Sequence, residues 1–279
     1  MFHFKMIIKI AFISLALYSC MCSVLQAAIG QEEKRRYSSL GLGLDWLRSA
    51  DRDCVDPSEA SVVLLAYLGA GFDQLTPGNY RENVRRLLAL VQAAQQEDGS
   101  FGITVDLYRD ALCTNAIAES YAMTMDKTIK LNTERGLAWI IQAQDERGYW
   151  QTPGNLGEID MDINLRCIMA LKVGKSAGIE IRQGEIDCSA QAWTRARQWV
   201  WLFAKHHPEP PRNFNLKTEI GSGEAKEELA LSLCYLGARP GDVLWEALVH
   251  KIAKQSFHTT GNIDPRQCFI QELVIFQYG

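Results

Sequence analysis

The sequence lacks the glycine-rich loops with which many enzymes bind phosphate. Its 279 residues contain no Gly-x-x-x-x-Gly-Lys-Ser/Thr loop and no Gly-x-Gly-x-x-Gly fingerprint. This argues against a P-loop nucleotide hydrolase and against a dinucleotide-dependent oxidoreductase. The stretch Gly221-Ser222-Gly223 is followed by Glu224, whose charge would repel a phosphate. We therefore expect a turn and a helix start at that position.

Proline, histidine and net positive charge are also scarce. The chain has eight prolines, five histidines and a formal net charge of −4. No proline-rich or low-complexity stretch divides it, so residues 29–279 are expected to form one domain. The acidic balance argues against nucleic acid as a partner. The adjacent His206 and His207 would point to different sides of a regular backbone, and we expect neither a metal site nor a cofactor.

The first 28 residues have the pattern of an export signal. Lys5 and Lys9 precede an apolar run over residues 10–24 that is short for a membrane span, and Ala27 offers a cleavage site. Residues 17–20, Leu-Tyr-Ser-Cys, resemble a bacterial lipobox, in which Cys20 would carry a lipid. We expect a periplasmic, envelope-attached or secreted protein that contacts a membrane only through such a lipid.

Six cysteines lie outside the predicted signal. Three of them occupy apolar helical segments, where cysteine acts as a small hydrophobic residue, namely Cys113, Cys167 and Cys234. The other three lie near predicted helix starts and are the better candidates for disulfides, namely Cys54, Cys188 and Cys268. The sequence does not pair them.

Residues 135–150 contain the most informative pattern of the chain. Seven positions recur in a fixed order, namely Arg135, Gly136, Trp139, Ile140, Gln144, Gly148 and Trp150. This pattern resembles the QW motif of the squalene cyclase and prenyltransferase repeat family. The resemblance implies a structural role: the glutamine is expected at the free N–H groups that begin the next helix, and the tryptophan is expected to stack on the turn.

Weaker copies of the motif surround the intact one. One copy keeps Gln95, Gly99 and Phe101, and another repeats the first half around Arg195 but has Ala204 at the glutamine position. A further remnant contains Trp46. The repeat of about 50 to 60 residues is the length of a helix pair with its connections. The chain is therefore predicted to be an array of helical hairpins.

The two halves of each repeat differ in polarity. The segments that carry the motif are amphipathic and should form outer helices, whereas the alternating segments are apolar nearly all round and should form inner helices. The predicted inner segments are residues 60–71, 111–124, 163–178 and 228–238. Together they predict an all-α fold, an α/α toroid whose ring is closed or incomplete. We find no convincing pair of strands.

Three aspartates are candidates for catalysis if the resemblance extends to activity. Squalene cyclases protonate their substrate with an Asp-x-Asp-Asp acid, and the nearest match is Asp160-Met161-Asp162, which lacks the last aspartate. Asp110 stands in a similar place before an apolar helix. Helix capping is the competing interpretation for all three. The turn at Asp51-Arg52-Asp53 is expected to be exposed.

Three functions remain open from the sequence. The favoured one is a non-catalytic toroid that binds an apolar small molecule or another envelope protein, because both catalytic signatures of the family are missing. The Asp-x-Cys pair with which prenyltransferases bind zinc is absent. The second is a terpenoid cyclase-like or prenyltransferase-like enzyme with an altered acid motif. The third is a carbohydrate-active toroid, with Asp110, Glu119, Asp160 and Glu224 as candidate carboxylates.

Overall fold

The computed structural model describes residues 31–102, 104–151, 158–207 and 225–254. It also describes short pieces of the remaining chain, namely residues 154, 210, 213–215, 220–222, 270, 271, 274 and 277. The predicted signal with Cys20, the disulfide candidate Cys268 and the carboxylate candidate Glu224 lie outside these residues. Among the helices that the structure describes, none is long and apolar enough to cross a bilayer.

Helices dominate the described part of the chain. In chain order they are α1 (Gln31–Ala50), α2 (Pro57–Gly69), α3 (Arg81–Ala94), α4 (Leu107–Thr124), α5 (Lys127–Gln142), α6 (Met161–Ser176), α7 (Cys188–His206), α8 (Lys226–Tyr235) and α9 (Val243–Lys254). This confirms the predicted all-α class.

Five short strands join the helices in the part of the chain that the structure describes. They are β1 (Glu158–Asp160), β2 (Arg182–Gln183), β3 (Ile186–Asp187), β4 (Asn213–Asn215) and β5 (Ile220–Ser222). They form an antiparallel sheet in the order β1-β4-β5 and an antiparallel β2-β3 hairpin. The expectation of no strand pairs was wrong, because strands of two or three residues are too short to show an alternating pattern.

The helices form two layers. Helices α2, α4, α6 and α8 are neighbours in that order, and each is followed by a helix that packs on its outer side. In the middle of α4, the residues from Ala111 to Ala118 are all buried. The inner helices are therefore covered by neighbours on most sides, as their apolar sequences predict.

Aspartate begins most of these helices. The caps of α2, α4, α5, α6 and α7 are Asp56, Asp106, Asp126, Asp160 and Asp187, and each accepts a hydrogen bond from a backbone N–H of the first turn. An aspartate at this position satisfies donors that have no partner within the helix.

The motif glutamine links successive outer helices. Gln144 follows α5, and its Nε2 donates to the carbonyl of Ala192 in α7 at 3.0 Å and to that of Gly148 at 3.0 Å. Its Oε1 accepts from Arg195 Nε at 3.1 Å. The glutamine was expected at the free N–H groups that begin the next helix. It bonds to a carbonyl instead, because the aspartate cap Asp187 already occupies that helix start.

Gln95 makes the same kind of contact between the preceding pair of outer helices. Gln95 Nε2 donates to the carbonyl of Asn132 at 2.9 Å, and the amide of Asn132 donates back to Gln95 Oε1 at 2.9 Å. Asn132 precedes Arg135 by three residues, just as Ala192 precedes Arg195. We call each such set of contacts a repeat joint.

A third repeat joint lies where the sequence predicted an exposed turn. Asp51 occupies the glutamine position after Trp46, and its side chain is fully buried. It accepts from Asn83 Nδ2 at 2.9 Å and from Tyr67 Oη at 3.1 Å, and it pairs with Arg86 at 2.9 Å. The expectation of an exposed turn was therefore wrong for Asp51, because its carboxylate takes the place of the motif glutamine.

Glycine is required at two of these joints. Gly99 and Gly148 have φ of +96° and +104°. A Cβ atom on either glycine would lie 2.2 Å from a backbone oxygen, that of Arg135 or of Arg195 respectively. These glycines therefore allow the turn after one outer helix to approach the backbone of the next.

The described cysteines are all free thiols. Cys54, Cys113 and Cys167 are buried, whereas Cys188 and Cys234 are half-buried. Burial raises the pKa of Cys113 to about 12, which keeps the thiol protonated. The prediction that Cys113 and Cys167 act as buried hydrophobic residues is confirmed. Cys54 and Cys188, the disulfide candidates, are unpaired.

Replacing Gly148 by alanine should lower the free energy of unfolding by about 3 kcal/mol, because the new methyl group combines left-handed backbone strain with a clash against Arg195. The matched control is Gly184→Ala, at φ +62° with open space around the Cβ position. It should lower the free energy by only about 1 kcal/mol. Urea unfolding followed by circular dichroism measures both. If both variants lose the same free energy of unfolding, the close approach of the turn to Arg195 is not what requires glycine at position 148.

Candidate functional site

The inner face of α4 is identified by what its outer face touches. Asp110 bonds to Trp139 of α5, and Thr114 packs against Gly136 of the same helix. Residues at helical spacing on the opposite side therefore face the centre of the ring. These residues are Tyr108, Leu112, Asn115 and Glu119.

Helices α6 and α2 show the same division. Asn164 and Gly174 of α6 contact the motif tryptophan Trp150 and Leu137 of α5 respectively. The opposite side of α6 has Asp162, Arg166, Met169 and Val173, and the corresponding side of α2 has Ser58, Val62, Leu65 and Gly69. Most of these centre-facing residues are only partly buried, which indicates that the centre of the ring has accessible space.

Charged side chains gather where the inner helices begin. Arg166 Nε lies 3.6 Å from Asp162 Oδ1, and its guanidinium lies 5.6 Å from the ring centroid of Tyr108. Glu227 and Glu228 lie in the first turn of α8, and both side chains are buried. We call the set Tyr108, Asp162, Arg166 and Glu228 the mouth cluster.

Arg166 interacts electrostatically with the other members of the mouth cluster. Burial disfavours the charged form of Arg166, but the neighbouring Tyr108, Asp162 and Glu228 outweigh it and raise the pKa of the guanidinium. Arg166 therefore stays charged between α4, α6 and α8. Glu227 accepts a hydrogen bond from Gln271 at 2.7 Å.

Asp110 lies on the outer side of α4, away from the mouth cluster. Its two carboxylate oxygens accept from the backbone N–H of Phe101 at 2.9 Å and from the indole of Trp139 at 2.9 Å. Asn164 occupies the equivalent place in α6, four residues after the cap, and bonds to Trp150 N and O, each at 2.9 Å. Asp110 therefore has the same role in α4 as Asn164 has in α6: its side chain bonds the motif turn to an inner helix.

The environment of Asp110 acts on its pKa in two directions. Burial raises the pKa to about 6, and this effect exceeds the opposing effect of the hydrogen bonds from Phe101 and Trp139. The carboxyl is fully enclosed, so the burial effect is large. It is therefore expected to titrate in mildly acidic solution.

The three predicted catalytic aspartates do not come together. Asp160 caps α6 by accepting from the backbone N–H of Asp162 at 2.8 Å, as the capping interpretation predicts. Asp162 alone faces the centre of the ring, while Asp110 lies in the contact between the motif turn and α4. The capping interpretation was wrong for these two, because both lie inside their helices, whose caps are Asp160 and Asp106. The partners of Asp162 were not singled out from the sequence. The signal for Arg166 and Glu228 was the presence of charges inside apolar helical segments.

The remaining motif residues fill structural positions. The Trp150 side chain is fully buried, and its indole donates to the carbonyl of Ile140 at 2.9 Å. Phe101 is fully buried at the corresponding turn. Residues 174–178 have Gly-x-Ser-x-Gly spacing, but Ser176 ends helix α6, whereas a nucleophilic serine of this type follows a strand. No group of three or more metal-ligating side chains occurs among the described residues.

Replacing Asp110 by asparagine should flatten the pH dependence of stability between about pH 4 and 7. The folded-state pKa is raised above the unfolded value of 3.8 to about 6. The stability that Asp110 contributes is therefore greatest below pH 4 and is lost as the pH rises through 6, by about 1 to 3 kcal/mol. Melting temperatures across this range check it, with the exposed cap variant Asp106→Asn as control. If the melting temperature of the wild type rises more steeply with pH than that of Asp110→Asn, the prediction is wrong.

Comparisons with known proteins show the fold. No family model matches this chain, and no curated protein sequence matches it. Among solved structures, it is similar to one described as a novel alpha-amylase from Clostridium perfringens, with a TM-score of 0.62 and 11% sequence identity. The match covers 97% of this chain and 87% of that chain. At this identity the similarity supports the all-α, toroid-like fold, and membership of the squalene cyclase and prenyltransferase repeat family stays a prediction.

Proposed function

We propose that this chain is a carbohydrate-active α/α toroid that binds a saccharide at the mouth cluster. The observation that carries the proposal is the position of Asp162 and Glu228 beside Arg166, where α6 and α8 begin. The similarity of the fold to that of an amylase supports the choice of saccharides as the substrate class. The export signal predicted for residues 1–28 is compatible with a substrate outside the cytoplasm.

The chemistry of glycoside hydrolysis requires two carboxyl groups. One protonates the leaving oxygen, and the other activates water or attacks the sugar directly. Asp162 belongs to α6 and Glu228 to the neighbouring α8, so the two carboxyls flank the same arginine from different helices. In this proposal Asp162 and Glu228 divide these two roles between them, one as the acid and the other as the base or nucleophile.

The second candidate is the non-catalytic binding toroid favoured by the sequence. A specific observation supports it: Arg166 compensates the charge of Asp162, and such an ion pair can be a purely structural element. In that case the ring would take an apolar small molecule or an envelope protein without transforming it. A cyclase-like reaction has less support, because the Asp160 carboxylate caps α6 by accepting from the backbone N–H of Asp162.

The hydrolase proposal is tested with starch, xylan, chitin and mixed-linkage β-glucan, by measuring the release of reducing ends. One of these substrates should be cleaved, and Asp162→Asn and Glu228→Gln should each lower kcat at least about 100-fold, because each removes a proton-transfer or nucleophilic group. The matched control is Asp106→Asn, an exposed cap at the start of α4, which should retain wild-type activity. Melting temperatures establish that all variants fold.

Two results would overturn hydrolysis. Binding of a saccharide by calorimetry without any cleavage would select the non-catalytic candidate. Cleavage that survives both Asp162→Asn and Glu228→Gln would place the reaction elsewhere in the molecule.

A further inference from the structure

Two polar side chains on the inner face of α4 have no partner among the described residues. The Asn115 side chain is 5% exposed, and its buried Oδ1 accepts no hydrogen bond. Glu119 lies one turn further along the same face and makes no hydrogen bond or ion pair with the part of the chain that the structure describes. Burial alone raises the pKa of Glu119, and no neighbouring cation opposes this effect.

The surroundings of this pair are apolar. Leu112 lies on the same face of α4, Val62 and Leu65 face the centre from α2, and Met169 faces it from α6. Val62, Leu65 and Met169 are only partly buried although they pack against the hydrophobic core. The centre of the ring is therefore an apolar space in which Asn115 and Glu119 are the polar groups of α4.

This position is separate from the mouth cluster. Glu119 follows Tyr108 by eleven residues, which corresponds to about 16 Å along a helix. A ligand can therefore bind at Glu119 without contacting Asp162. Amine binding at Glu119 does not require saccharide hydrolysis at the mouth cluster.

The chemistry of the pair favours a cation with several donors. A desolvated carboxylate without a counter-charge is unfavourable, and a bound cation removes this penalty. Side chains four residues apart on a helix have Cβ atoms about 5 to 6 Å apart, so one ammonium group can donate to both Glu119 and Asn115. A metal ion is a poorer match, because the two side chains supply a single carboxylate.

We propose that the centre of the ring binds an amine with an apolar body, whose ammonium group donates to Glu119 and Asn115 while its hydrocarbon part packs on Val62, Leu65 and Met169. The site belongs to the inner faces of α2, α4 and α6. It would take an alkylamine-like ligand in preference to an alcohol or a carboxylate of the same length.

The probe is hexylamine, compared with hexanol and hexanoate, and binding is measured by calorimetry and thermal shift on the purified protein. Hexylamine should bind and raise the melting temperature, and the other two should not. Glu119→Gln should raise the melting temperature of the free protein and weaken hexylamine binding at least about 10-fold. Asn115→Leu should weaken it several-fold. Glu134→Gln on the outer helix α5, whose partner is Lys130, is the matched control and should bind hexylamine like the wild type.

Three results would overturn this proposal. Equal binding of hexylamine and hexanol would show that the carboxylate is not recognised as a charge. Unchanged hexylamine affinity in Glu119→Gln would show the same. Loss of binding in Glu228→Gln but not in Glu119→Gln would move the amine to the mouth cluster and leave the hydrolase proposal to its own test.

Discussion

The repeat joint is the contact on which the described helical array depends. At each joint a side chain that ends one outer helix bonds to the backbone or side chains of the next, through Asp51, Gln95 or Gln144. Two of the joints also need a glycine, because the turn approaches a helix backbone too closely for any Cβ atom. These contacts set the spacing between successive hairpins, and they do so on the outer side of the inner layer.

Because the joints lie outside, the inner faces of the inner helices are not needed to hold the hairpins together. Asp110 and Asn164 fasten the motif turns from the outer sides of α4 and α6. The opposite sides of the same helices have the charged groups Asp162, Arg166 and Glu119. Buried charges of this kind are unfavourable unless they are paired or meet a ligand. Asp162 and Arg166 pair with each other, whereas Glu119 has no ion pair within the part of the chain that the structure describes.

The motif predicted where the repeat joints lie, but not which groups donate and accept their hydrogen bonds. Its spacing located the glutamines and glycines, but Gln144 donates to a carbonyl where an acceptor role was expected. Asp51 was expected to be exposed, because a carboxylate in a short acidic turn usually is. Its burial depends on Asn83, Tyr67 and Arg86, which come from two later helices. No local pattern could have predicted that set of partners.

The sequence by itself determined the helical class, the order of amphipathic and apolar helices, the cap Asp160 and the glycine turns. Each of these depends on residues within one helix or one connection, where spacing along the chain fixes spacing in the molecule. Only the tertiary structure decided which carboxyl groups face the centre. Asp110, Asp160 and Asp162 look alike in the sequence, but the rotation of each inner helix against its outer neighbour turns only Asp162 toward Arg166 and the centre of the ring.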